Sequence, residues 1–171
     1  MVRRIASSIF LMALWLVADS GAGIQWTVPS TWKAEAQRPM RLATYAIPAA
    51  AGDSEPAECG VYYFGQGQGG SAEANVTRWI GQFQSKEPAK RGQRTIHGLK
   101  VTTVEVSGAY SGMGGPMAKD GAAPKPNYRL LGAIAEGPQG SIFFKFTGPA
   151  ETVAKNQAAF EKLLASLSPV S

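Results

Sequence analysis

Between Tyr128 and Leu167 lie two runs whose apolar residues fall on both sides of a pleated strand, a pattern that limits the architectures open to this chain. In the first run Tyr128, Leu130, Gly132 and Ile134 share one face, and Arg129, Leu131, Ala133 and Ala135 share the other. In the second, Ile142, Phe144 and Phe146 stand opposite Phe143, Lys145 and Thr147. A strand that is apolar on both faces needs cover on both, so the sequence predicts a sheet with a layer on each side. Gly137, Pro138, Gln139 and Gly140 join the runs with turn chemistry, Pro presetting φ and Gly accepting a positive one. After Gly148 and Pro149 a helix is predicted, with Glu151 at its positive end and Val153, Phe160, Leu163, Leu164 and Leu167 as its apolar stripe. That stripe should lie on the sheet.

The chain has 171 residues, a length that suits one domain with a real core. Its start is different in kind. Arg3 and Arg4 precede an uncharged, mostly apolar run from Ile5 to Ala18, and Ser20, Gly21, Ala22 and Gly23 follow, the three-part pattern of a secretory signal peptide over residues 1–23. The run is too short for the roughly 20 residues that span a bilayer, so cleavage near Ser20 or Gly23 is expected, with no transmembrane segment afterwards. Cys59 is the single cysteine, which excludes both an internal disulfide and a lipid-accepting cysteine at the end of the leader. An exported chain without disulfides fits a bacterial periplasmic or extracellular setting.

Removing Arg3, Arg4 and Asp19 with the leader reduces 17 basic and 12 acidic side chains to 15 and 11, a net charge of +4. The excess is mild, and no nucleic-acid partner is expected. Its densest cluster, Lys86, Lys90, Arg91 and Arg94, reads first as a solvated linker after a helix, with contact to an anionic polymer or membrane surface as the alternative.

Strands are predicted at Ile24–Val28, Met40–Ile47, Cys59–Phe64, Arg94–His97 and Leu99–Tyr110, with a helix over Ser71–Gln84 whose apolar stripe is Val76, Trp79, Ile80 and Phe83. Gly65, Gly67 and Gly70 match G-x-G-x-x-G between a strand and this helix. Ser71 as N-cap and Glu73 in the first turn would set a negative charge where phosphates should sit, and no acidic residue closes a following strand. A glycine loop is the simpler reading, with a backbone anion site as the intermediate one, and no cofactor is expected. His97 is the only histidine, so no two-histidine metal site can form, and any serine or cysteine triad would depend on it. Residues 111–127, rich in glycine and proline, form the longest irregular stretch. It is either an insertion between strands or a binding loop whose contacts would be Met113, Met117 and Lys119.

In order, the chain past residue 23 reads as an α+β domain over 24–171: a single antiparallel sheet of about six or seven strands covered by helices. "TVPSTW" (Thr27 to Trp32), "SIFFKFTGP" (Ser141 to Pro149) and "FEKLLASL" (Phe160 to Leu167) resemble the Mog1/PsbP-like α-β-α family, which has secreted bacterial members. The chain departs from lipid-anchored members in lacking a lipid-attachment cysteine, and from the group in its 111–127 stretch. The resemblance implies an α-β-α sandwich and a non-catalytic binding or assembly role, and carries over no site residue. Two functions follow as expectations: an exported binding or accessory protein for an unidentified protein or small molecule of the cell envelope, or a hydrolase-type enzyme using Ser or Asp with His97. The second requires a Ser, Asp or Glu within hydrogen-bond reach of His97 inside a concave pocket.

Overall fold

The computed structural model describes residues 17–112 and 123–170. The expected hairpin forms its centre. β9 (Lys125–Gly137) and β10 (Gly140–Pro149) pair antiparallel from Tyr128 opposite Pro149 to Gly137 opposite Gly140, with Pro138 and Gln139 as the connection. β5 (Ala57–Tyr62) flanks β10, followed outward by β4 (Arg41–Ile47) and the two-residue β3 (Lys33–Ala34). On the other side β8 (Leu99–Tyr110) flanks β9, and its outer edge is shared by β7 (Lys90–Ile96) and β6 (Phe83–Gln84).

Every pairing is antiparallel. The sheet has eight strands among the described residues, not six or seven. The difference lies at its edges, where β3 and β6 are too short to show a period in sequence.

The helix that leads out of β10 is broken into α2 (Ala150–Lys155) and α3 (Gln157–Ala165). Asn156 sits between them at φ −103° and ψ 6°, its amide donating to the Thr152 carbonyl at 2.9 Å while its Oδ1 accepts from Trp32 Nε1 at 3.3 Å. The anticipated stripe is nonetheless intact, with Val153, Phe160, Leu163, Leu164 and Leu167 buried together with Leu131, Ala133, Ile142, Phe144 and Phe146 on one face of the sheet.

That face carries a further layer. β2 (Ile24–Val28) pairs with β1 (Val17–Gly21) and β11 (Ser168–Pro169) in a separate three-stranded sheet, so it does not join the large one as expected. Trp26 explains the placement: its ring meets Phe144 edge-on at 5.4 Å, and its Nε1 donates to the Tyr45 hydroxyl at 2.9 Å. Tyr45 in turn donates to Asp19 of β1 at 2.7 Å, and burial with this carboxylate bond pushes the phenol's pKa up. β1 thus falls within the stretch read as leader, and a cut after Gly23 would remove it.

The opposite face is covered by α1 (Ala72–Gly81), capped by Ser71, whose hydroxyl accepts from the Ala74 amide at 3.1 Å. Val76 and Trp79 pack on Val104, Val106, Leu130, Ile134 and Phe143. Gly132 makes this docking possible: a Cβ there would stand 2.6 Å from the Trp79 ring, so the indole rests on bare backbone. Sequence periodicity extends this helix to Gln84, but the structure ends it at Gly81 and turns Phe83 into β6. Both faces of the hairpin are covered, as its two-sided apolarity requires.

Candidate functional site

α1 has ten residues and is about 15 Å long, whereas ten-residue β10 runs about 33 Å. One short helix leaves part of that face uncovered. Beside the end of that helix the apolar alternation of β10 is interrupted by Lys145, which lies opposite Gly60 of β5 on one side and Gly132 of β9 on the other. With no side chain on either neighbour, the Trp79 ring lies over Gly132. The Tyr62 ring folds back over Gly60, where a Cβ would meet its hydroxyl at 2.8 Å.

Lys145 is 7% exposed. Its ammonium donates to Gln82 Oε1 at 2.6 Å and to the Tyr110 hydroxyl at 3.2 Å, and lies 5.5 Å from the Tyr110 ring centre. No carboxylate forms an ion pair with it among the described residues. Burial, with the like charges of Arg78 and Arg41, pushes its pKa down to about 8.

Lys145 and Thr147 open into a cleft of about 220 Å³ rimmed by Arg41, Glu58, Tyr62, Tyr110, Lys125 and Tyr128. The other charges there are matched. Arg41 and Arg38 bind Glu58 at 2.6 and 3.1 Å, and Lys125 binds Glu55 at 2.7 Å. Lys125 and a hydrogen bond from Tyr128 hold the Glu55 carboxyl below its ordinary pKa, and Glu55 in turn raises that of Lys125. Tyr110 and Tyr128 stack at 5.7 Å and 8°, and burial pushes the Tyr110 phenol up to about 12. Thr147 Oγ1 is buried with no hydrogen-bond partner. The cleft is therefore rich in donors and aromatic rings, with one cation not neutralised by an acid.

Tyr110 of β8 and Lys125 of β9 oppose each other in register at the rim of this cleft. Met113, Met117 and Lys119 lie outside the described residues. Of the stretch 111–127, Lys125 to Asn127 belong to β9 and are not irregular.

The basic cluster does not converge. Lys86 is exposed in the bend after β6, and Lys90, Arg91 and Arg94 lie in an edge strand, not in a linker. Arg91 pairs with Glu73 of α1 on one face, Arg94 with Glu161 of α3 at 2.7 Å on the other, and Lys90 with Glu105 at 3.7 Å. His97 and Gly98 form the tight turn between β7 and β8, both at positive φ. His97 is exposed beside a hollow of about 580 Å³, and its Nδ1 lies 2.7 Å from the Leu167 carbonyl. Among the described residues its hydrogen bond is to backbone, not to Ser, Asp or Glu.

Gly65, Gly67 and Gly70 all have positive φ, and Asn75 Nδ2 ties their loop to α1 by donating to the carbonyls of Gly69 and Ser71 at 2.7 and 2.9 Å. Among the described residues no group of three or more His, Cys, Asp or Glu is placed to hold a metal ion, and no helix is long and apolar enough to cross a membrane.

Sequence reasoning passed over Lys145. The signal was present, since a lysine at the centre of a strand apolar on both faces has no solvated side to occupy.

No protein-family model matches the chain, and no curated protein matches it. Among the solved structures that match it are two that share its fold over nearly the whole chain. One is the solution structure of cyanobacterial PsbP (CyanoP) from Synechocystis, 13% identical, with a TM-score of 0.57 over 97% of this chain and 99% of that one. The other is a Pseudomonas aeruginosa protein of unknown function, also 13% identical, with a TM-score of 0.52 over 91% of this chain and 98% of that one. The resemblance to the PsbP-like fold is thus shown, at the level of the fold.

Proposed function

We propose that the protein is an exported, non-catalytic binding module that holds a small ligand of the cell envelope in the Lys145 cleft. Export rests on the leader pattern of Arg3, Arg4, the apolar run to Ala18 and the small residues after it. Binding rests on one observation: Lys145 is buried in an aromatic cleft without an acidic partner. An unneutralised buried ammonium is costly to keep, and a site that keeps one is a candidate for receiving the missing partner from outside. The hydrolase alternative finds no comparable support, because the hydrogen bond of His97 goes to the Leu167 carbonyl.

The test is to isolate the protein from the envelope under native conditions, denature it, and identify released small molecules by mass spectrometry. Wild-type protein should release a defined species at near-stoichiometric yield, and Lys145→Met should release none. Wild-type protein that carries nothing would overturn the reading.

A further inference from the structure

We infer that the ligand of this cleft is a monoanionic carboxylate attached to a flat apolar group, an inference that rests on the binding reading above. Three observations carry it. The first is hydrogen-bond polarity. Lys145 spends two N–H groups on Gln82 and Tyr110 and retains a third; Tyr110 accepts from Lys145 and keeps its own O–H to give; Thr147 Oγ1 has no partner. Lys145 and Thr147 are two apart in β10 and therefore share a face. These donors lack an acceptor, and a carboxylate offers two oxygens with about four lone-pair sites.

The second observation is charge. The cleft is lined by three cations, Arg41, Lys125 and Lys145, and two carboxylates, Glu55 and Glu58, so its lining carries one net positive charge. One negative charge completes it. A phosphate dianion would overshoot and meet the two acids, while a neutral sugar or amide would leave the ammonium unmatched.

The third is shape. Tyr62 and Tyr110 wall the cleft, and a smaller hollow of about 60 Å³, which shares Tyr62 and Lys145 with it, is lined by Phe64, Trp79 and Phe143 together with Asn75 and Arg78. Rings on both sides of the Lys145 ammonium suit a planar apolar body with the acid at one end. At about 220 Å³ the cleft is small, which favours a compact molecule over a polymer.

The experiment uses probes of known chemistry on the whole mature protein at pH 7, followed by NMR. Benzoate should shift the signals of Tyr110, Lys145 and Thr147 saturably at millimolar concentration. Acetate, benzamide and inorganic phosphate should each bind at least tenfold more weakly. Thr147→Val, which preserves shape, and Tyr110→Phe should each weaken benzoate severalfold, and Lys145→Met should abolish its binding with the rest of the spectrum retained. Because the ammonium is the binding form, affinity for benzoate should fall about tenfold from pH 7 to pH 9.

Benzamide equal to benzoate, phosphate tighter than benzoate, no response to benzoate, or binding that survives Lys145→Met would each overturn the inference. If the envelope-derived protein releases a neutral species, the ligand class fails while the binding reading stands. If it releases nothing, both fail.

Discussion

Lys145→Met should make the protein more stable at neutral pH, and the gain should shrink as the pH rises. In the folded protein the Lys145 pKa lies at about 8, against an ordinary value of 10.5. Below pH 8 the ammonium is charged in both states, so the folded state bears the full cost of burying it, about 3 kcal/mol from that difference. Between pH 8 and 10.5 the unfolded chain binds more protons than the folded one, so stability rises with pH. At pH 9.5 the cost has fallen to about 1.4 kcal/mol, and wild type should gain about 2 kcal/mol on Lys145→Met between pH 7 and 9.5. The absolute gain at pH 7 will be smaller than 3 kcal/mol, because Gln82 Oε1 and the Tyr110 hydroxyl lose a donor, at a cost of about 1–3 kcal/mol. The difference between the two pH values is less affected, since that loss is present at both. Burial raises the pKa values of Tyr62 and Tyr110 above 10, which lowers stability at still higher pH, so the window must stop short of it. The assay is urea unfolding of both proteins at pH 7 and 9.5. Parallel pH profiles would refute the claim that the ammonium is buried without a counter-charge.

Two glycines provide a paired test of packing. Gly132→Ala drives a methyl into the Trp79 ring and should cost about 1–3 kcal/mol in urea unfolding, whereas Gly81→Ala, with no atom within 4 Å of the added Cβ, should stabilise by up to about 1 kcal/mol; equal effects would contradict the docking of α1. A chain beginning at Val17 should be more stable than one beginning at Ile24 by at least the Asp19–Tyr45 bond, about 1.5–3 kcal/mol, and equal stability would show that β1 is not part of the fold. Replacing Lys86, Lys90, Arg91 and Arg94 by Gln should leave retention on a heparin column near that of wild type, because three of the four are paired with acids on two different faces. Elution at much lower salt would mean that they act as one patch.

The central layers were legible because their residues repeat. Alternation over Tyr128–Ala135 and Ile142–Thr147 assigned residues to the correct faces, and the stripes from Val76 to Phe83 and from Val153 to Leu167 identified what covers them. What periodicity could not convey was how each element ends and which sheet it joins. The last helix contains one stripe but two helices, since Asn156 breaks the backbone without disturbing the apolar spacing. Ile24–Val28 has strand character in either sheet, and its partners β1 and β11 come from opposite ends of the chain. Only the second half of β7 reads as a strand in sequence, at Arg94–His97; Lys90 to Gln93 resemble a linker because they are exposed throughout, and their strand identity comes from the backbone pairing with β8.

The cleft follows from the same unevenness of cover. One face of the large sheet receives two helices and a second sheet, so every inward side chain there can be apolar, as Ile142, Phe144 and Phe146 are. The other receives only α1, about 15 Å long. Beside the end of that helix the position that continues Phe143 is enclosed, so an apolar residue would be the stable choice there, and an ordinary surface lysine would extend into water. Lys145 is neither: the rings over Gly60 and Gly132 enclose it, and Gln82, just beyond the helix, anchors its ammonium. Two bare glycines beside a lysine in a central strand cost packing and local strand stability, and hydrophobic replacements would remove the desolvation cost entirely. The observed arrangement forgoes that stability to hold a positive charge at the end of an aromatic cleft, where an incoming acid would meet it.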